Sequence, residues 1–557
     1  MHKPFFLSLL LVVACGSDSE SADTLFVNGR IVSLTDGAVE VEALAVRDGR
    51  IIAIGDEQEL ATFEGDSTET VDLGGRCVVP GFIDAHAHFL AIGSQATILD
   101  LKSIANWDEA VRMVEAAAGE TQAGRPIVGR GWHQDKWDRV PDDAVDGVPR
   151  HASLSAVSPD HPVVLTHASG HASFLNAKAL AMSGIDRETE NPPGGEIVRD
   201  EHDEPTGLLR ETAMDLSIRA TSGAKRVDRR RLAELASEEL LRKGVTSLHD
   251  AGVSLDDYEF FEGLAADDEL DVRLWVMTHS EAGAIDAWMS KRGQRAPLVA
   301  SEFLTLGGIK RSLDGALGSH GAWLLEPYED LGSSTGLNLI TLEVLADTAD
   351  VAATHGLQLC VHAIGDRANR ETLDVFKRKR AEHGLDDARW RIEHAQHLDP
   401  EDIPRFAQEG VLASIQTVHC ISDGPWVPDR IGAERAREGA YRWRELLDSG
   451  AKLANGTDAP VEDVDPLANF RAAVTRRMKN GEVFHGDQKL TRLEALEATT
   501  KHAAYLARQE AALGTLEPGK LADFVVLSGH LLEVDDAELA DVVVEATYVG
   551  GVRRYTR

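Results

Sequence analysis

Between residues 24 and 79 the chain runs in short apolar stretches set between turn residues: Leu25-Phe26-Val27, Ile31-Val32, Ala43 to Val46, Ile51 to Ile54 and Cys77-Val78-Val79. Alternation of apolar and polar positions on this scale predicts β-strands. Asn28-Gly29 and Asp48-Gly49 between the runs predict two-residue hairpin turns. The C-terminal segment has the same texture, with Phe524 to Leu527, Val542 to Val544 and Tyr548 to Val552. Each end alone has too few strands for a stable sheet. Residues 24–79 and 514–557 are therefore expected to meet in one composite β-sandwich domain.

The middle of the chain has a different rhythm, in which apolar runs alternate with helical stretches such as 230–242, 343–355 and 491–509. Eight runs fit parallel strands, beginning at Gly81, Val245, Val272, Gly308, Leu359, Arg391, Val411 and Lys452. Eight strand-then-helix units predict an α/β fold, a (β/α)8 TIM-type barrel whose active site lies at the C-terminal strand ends. Each run is followed within a few residues by His, Asp or Gln. About 140 residues separate the first run from the second. They contain strand-like runs of their own at Pro126 to Gly131 and Val163 to Thr166, and a tight turn at Asn191 to Gly195. The expected division is a barrel over 80–97 and 240–513, with an inserted subdomain over 98–239 on the active-site face.

The first residues stand apart. Lys3 and the apolar run Phe5 to Ala14 form a signal-peptide core, since a permanent membrane span needs about 20 apolar residues. Val12-Val13-Ala14-Cys15 resembles a bacterial lipobox, which makes residues 1–15 the signal peptide, Cys15 the lipidated residue and 16–23 a tether. An ordinary secretory signal that happens to contain a cysteine is the alternative. The expected location is the cell envelope of a bacterium, as an exported lipoprotein in the outer membrane facing the periplasm, with membrane attachment by anchor only.

Composition narrows the partners. Lys+Arg 57 against Asp+Glu 93 gives a net charge of −36 across 557 residues. A surface so acidic repels phosphate backbones and excludes nucleic acid as a partner. Four cysteines rule out a disulfide-built scaffold, and Cys77, Cys360 and Cys420 cannot all pair among themselves.

Asp84-Ala85-His86-Ala87-His88 ends the first barrel run, and at period two His86 and His88 share a face. Two imidazoles at a strand end form half of a divalent-metal site. Further ligand types end later runs: Lys310 on the fourth, His362 on the fifth, His394 on the sixth and Asp458 on the eighth. With Val79-Pro80-Gly81-Phe82-Ile83, Asp314-Gly315, His362-Ala363-Ile364-Gly365-Asp366, Glu393-His394, Gly456-Thr457-Asp458-Ala459-Pro460 and the stretch Gly514 to Phe524, the chain resembles the metal-dependent amidohydrolase superfamily, amidohydrolase family 3. The resemblance spans residues 24–557. It departs at Gln416-Thr417-Val418-His419, where the family more often has Pro after Gln.

The resemblance implies that His86, His88, His362, His394 and Asp458 are metal ligands, with zinc as the cofactor in one or two copies. Lys310 occupies the place of a carboxylated lysine bridging two ions. An unmodified ammonium has no acceptor, so the alternative is a mononuclear site with Lys310 paired to Asp314 or another carboxylate. Asp84 is expected to orient the ligands. His171 and Glu211, in the insert, either touch substrate or pack; His419 is a substrate contact. His249 and Asp250 are expected to form wall, Cys360 core, and Asp366 the N-cap of the next helix. Trp132 and Trp137 are either pocket lining or packing. The implied activity is hydrolysis of a non-peptide carbon–nitrogen bond, in an amide, formamide or cyclic amide. The metal lowers the pKa of a bound water to about 7, and Asp458 relays the proton. The partner is a small amide-type molecule, and a homo-oligomer stays open. The rivals are an esterase or lactonase on the same site, and a lipid-tethered binding protein without catalysis.

Overall fold

The computed structural model describes residues 21–35, 39–145, 147–222 and 227–557. Residues 1–15, expected to be a signal peptide ending at Cys15, lie outside them. No helix among the described residues is long and apolar enough to cross a membrane.

The centre is a nearly closed barrel of eight parallel strands: β1 (Phe82–Ala87), β2 (Val245–Val253), β3 (Arg273–Thr278), β4 (Leu304–Ser312), β5 (Gln358–Ala363), β6 (Arg391–His394), β7 (Leu412–Ile415) and β8 (Leu453–Asn455). They are hydrogen-bonded in that order from β1 to β8. Both faces of these strands are covered, which is why they read as apolar runs rather than alternating ones. The seam between β8 and β1 is bridged just past β8, where Asp458 N donates to His86 O and His88 N to Ala459 O. Arg391–His394 is only four residues long, but it is buried throughout and carries two of the groups discussed below.

The strand ends at the two termini form two further sheets. One orders Arg50–Gly55, Ala43–Arg47, Thr24–Val27 and Glu69–Asp72; the other orders Val552–Thr556, Val544–Val549, Phe524–Leu527, Cys77–Pro80, Arg30–Val32 and Glu40–Val41. Phe26, Leu44, Val78, Phe524 and Tyr548 meet in one core between them, with the Phe26 ring 4.9 Å from Phe524 and 5.1 Å from Tyr548. The buried Arg273–Asp523 pair, at 2.7 and 3.0 Å, ties this unit to β3 of the barrel.

Two local expectations fail. Asp48-Gly49 does turn a hairpin, with Arg47 opposite Arg50. Asn28-Gly29 does not: Thr24–Val27 and Arg30–Val32 belong to different sheets, and the corner carries the chain from one to the other. The predicted helix 491–509 is two helices, Arg492–Ala498 and Lys501–Leu506, because the Thr499 carbonyl accepts from Ile83 N of β1 instead of continuing the helix.

The segment after β1 builds a six-stranded sheet, ordered Gly195–Arg199, Pro205–Glu211, Ala172–Leu175, Val163–His167, Ile127–Trp132 and Leu99–Asp100. Trp132 and Trp137 stack in its own core with Trp107 and Phe174, and Trp132 Nε1 donates to Leu165 O at 2.8 Å. Neither tryptophan lines the cavities described below. The helix Arg229–Arg242 returns to the barrel and packs on Phe89–Gln95, where Gly93 abuts the backbone of Leu232 too closely for any side chain.

Candidate metal centre

His86 and His88 leave β1 on the same side, as period two requires. The loop after β8 crosses them so tightly that a Cβ on Gly456 would lie 2.4 Å from His86 N, which explains glycine there. The crossing delivers Asp458, whose backbone is left-handed at φ 56°. Its Oδ1 lies 3.5 Å from His86 Nε2 and 3.3 Å from His88 Nε2. Two ligands each about 2.0–2.1 Å from one tetrahedral ion are separated by roughly 3.3 Å. The spacing is therefore that of atoms sharing a metal. His394, His419 and Asp458 form a second group, all three buried, with one ligand atom from each lying within 4.8 Å of the others. Asp458 is common to both.

The remaining predicted residues surround these groups. The His362 and His394 rings are 4.4 Å apart, and His86 is 4.8 Å from His394. Lys310, buried at the end of β4, shares a cavity of about 480 Å³ with His86, His88, His171, His362, His394 and Asp458. Its Nζ donates to Ala251 O at 3.3 Å. It does not pair with Asp314, whose carboxylate instead accepts from the backbone N–H groups of Trp323, Ile364 and Gly365. Asp314 Oδ1 stands 3.5 Å from His362 Nε2, which makes no hydrogen bond among the described residues.

Other groups fix the rings. His86 Nδ1 lies 2.5 Å from Glu393 Oε2, and His394 Nδ1 lies 2.7 Å from Gln416 Oε1, so the Nδ1–H tautomer leaves each Nε2 unprotonated. Glu393 is itself held by Arg391, Nε to Oε1 2.5 Å. Asp84 accepts from His86 N, Thr457 N and the Thr457 hydroxyl, so it braces the junction of β1 and the loop after β8. Burial pushes the imidazoles of His362 and His394 well below their usual range and that of His86 to about 4, keeping all three neutral. For Asp458, burial acts upward but the imidazoles, His86 first, outweigh it and hold the carboxyl well below its usual range. Neutral imidazoles, an ionised carboxylate and tethered rings fit a divalent ion.

Among the substrate-side expectations, His171 lines the cavity, with its ring 4.9 Å from His362. Glu211 does not reach the wall. It stands behind His171, Oε2 to Nδ1 2.7 Å, wedged against Gly315 and Gly321, so it positions the imidazole rather than touching a ligand. His419 lines the neighbouring cavity with Trp426 and Asp423, and its Nε2 is enclosed without a partner. Asp250 lines the larger cavity, and its carboxyl is pushed up to about 6 by burial. His249 accepts from Arg391 instead. Cys360 packs against Trp275 and Met277 as core, and all three described cysteines are free. Asp366 is not the N-cap: Gly365 occupies that place, and Asp366 Oδ1 reaches across to Leu325 N. The roles of Glu393, Gln416 and Arg391 escaped the sequence reading, although Glu393 and Gln416 lie inside quoted motifs.

Comparison with known proteins places the chain in one family. The family model described as amidohydrolase family matches residues 69–555. The chain is 36% identical over 549 residues to the protein LONG AFTER FAR-RED 3 of Arabidopsis thaliana, covering 96% of this chain and 92% of that one. It is 27% identical to N-substituted formamide deformylase of Arthrobacter pascens, over 97% and 99% of the two chains. The crystal structure of an uncharacterized metal-dependent hydrolase from Pyrococcus horikoshii OT3 is similar at a TM-score of 0.73 and 27% identity, covering 92% of this chain and 99% of that one. The chain belongs to the amidohydrolase family.

Proposed function

We propose that the protein hydrolyses a non-peptide carbon–nitrogen bond, in an amide, formamide or cyclic amide, at a zinc site held by His86, His88, His362, His394 and Asp458. The observation that carries this reading is the position of Asp458 Oδ1, within 3.5 Å of two imidazole nitrogens and just past the last strand of the nearly closed barrel. A bound divalent ion supplies Lewis acidity, lowering the pKa of water and polarising a carbonyl. Asp458 is the proton carrier: its carboxyl is ionised, Oδ1 faces the imidazoles, and Oδ2 is left to take a proton from water and deliver it to the leaving nitrogen. His171, held by Glu211, and His419 face the substrate from the side of the insert and of β7. The formamide deformylase relative supports a C–N substrate. The test is a screen of zinc-loaded protein on N-formyl, N-acyl and cyclic amides. Cleavage of esters or lactones with no amide cleaved would transfer the site to the esterase reading.

Lys310 supports a second ion. Carbamylation needs a neutral amine, and burial lowers the pKa of this one. Metal analysis is expected to give about two ions per chain, falling to one or fewer in Lys310→Ala. One ion per wild-type chain with an unmodified Lys310 by mass spectrometry removes the binuclear version and leaves the hydrolase.

The reading includes export and lipid anchoring, supported by the Val12-Val13-Ala14-Cys15 boundary. Two or three acyl chains hold far better than one, at about 0.8 kcal/mol per buried CH₂. Cys15→Ser is expected to move the protein from the membrane fraction to the soluble fraction in a host with lipoprotein machinery. A wild-type protein already soluble after export would exclude the anchor.

A further inference from the structure

Arg130 sits on the strand Ile127–Trp132 of the insert, opposite Asp100 on one neighbour and Thr166 on the other. Its side chain lines the same cavity as His86, His88, His171 and Asp458. Among the described residues one hydrogen bond holds the guanidinium, Nη2 to Ala168 O at 3.2 Å. Nε is enclosed and has no partner. Among the described residues no carboxylate lies within ion-pair distance of it, although acidic groups outnumber basic ones 93 to 57 along the chain. The loop beside it is shaped to leave room. Gly170 has φ +79°, and a Cβ there would stand 3.2 Å from Nη2.

A largely enclosed guanidinium without a counter-ion is costly. Burial lowers its pKa, and the opposing attraction is that of Asp458. Asp458 does not pair with it: its Oδ1 is turned to His86 and His88, and the two side chains are not within ion-pair distance. The planar fork of arginine matches a carboxylate in two parallel hydrogen bonds, which a lysine cannot do. The net charge of −36 works against long-range attraction of an anion, so recognition has to be local, inside the cavity and within a Debye length of about 8 Å.

We infer that Arg130 binds a carboxylate carried by the substrate, so that the amides cleaved are those of acidic compounds, with the anionic group under the insert and the amide carbon over the histidines. The inference rests on the hydrolase reading for its catalytic half and on the cavity alone for its binding half. Two measurements separate them. In the first, kcat/KM is compared for succinanilate and for neutral butyranilide, and for N-acetyl-4-aminobutyrate and its neutral amide, so that the carboxylate is offered from either side of the scissile bond. Wild type is expected to prefer the carboxylate member of at least one pair, and Arg130→Gln to lower that preference at least tenfold. Arg130→Lys, which keeps charge but not the fork, is expected to fall between. In the second, calorimetry of succinate with the metal-loaded protein is expected to show at least tenfold weaker binding in Arg130→Gln, at unchanged metal content. This arm reads Arg130 even if no amide is hydrolysed, a result that would instead count against the hydrolase. An equal loss of kcat/KM on charged and neutral members, or succinate binding that ignores the substitution, overturns the role of Arg130.

Discussion

Asp458→Asn should lower kcat by about 10²–10⁴-fold on any amide the protein cleaves, the range a positioned acid–base group contributes. The substitution keeps the size of the side chain and an oxygen at the ligand position, but removes the charge and the basic lone pairs. The four proposed ligand imidazoles, His86, His88, His362 and His394, still line the cavity, so part of the metal should stay. His362→Ala and His394→Ala should behave differently, losing metal and activity together, since each removes a buried neutral imidazole from the centre of the cluster, where the two rings are 4.4 Å apart. Near-normal kcat in Asp458→Asn with metal retained would take Asp458 out of the chemistry. His419, with its enclosed and unpartnered Nε2, would then be the next proton carrier to test.

A second large effect is expected at a residue that touches neither metal nor substrate. Glu393 is fully buried between Arg391 and His86. Burial acts against its charge, but Arg391 and then His86 outweigh this and hold the carboxyl below its usual range. Glu393→Gln removes that charge while keeping the shape. Arg391 would then be a buried cation without a carboxylate counter-ion, since the amide offers it at most one neutral oxygen beside His249, the Ala85 carbonyl and the Met277 sulfur. Breaking a buried pair in this way costs about 3–5 kcal/mol. The single amide oxygen can accept from Arg391 or from His86 but not from both, and where it serves Arg391 the His86 ring loses the acceptor that fixes its tautomer, a change that typically costs 10–100-fold in metal affinity. Thermal unfolding should begin at lower temperature, and a chelator should strip the variant at lower concentration than wild type. A variant equal to wild type in both would mean that Glu393 is packing alone.

The barrel was legible because its strands are covered on both faces, so each appears as an apolar run ending in a polar group. His86 and His88 were legible for the simplest reason, the two-residue period of a strand. What escaped was set by contacts between distant segments. Asn28-Gly29 carries the same local signal as Asp48-Gly49, yet only the second joins strands that pair. Asp366 has the composition of a cap, but its carboxylate is engaged by Leu325 from another loop. Glu393 and Gln416 meet His86 and His394 inside the barrel, where sequence alone does not say which histidine nitrogen each will meet. Glu211 shows the limit from the other side: the motif signalled it, and only the fold reveals that His171 stands between it and the cavity.

Metal content with activity is the most direct test of the central claim, that these histidines and Asp458 form a working metal site. Protein purified without chelator should carry at least one divalent ion per chain, lose hydrolysis of its amide substrate when that ion is removed, and regain it when zinc is restored. A purified protein that binds no divalent ion, or that cleaves its amide at an unchanged rate after the ion is stripped, would contradict the account.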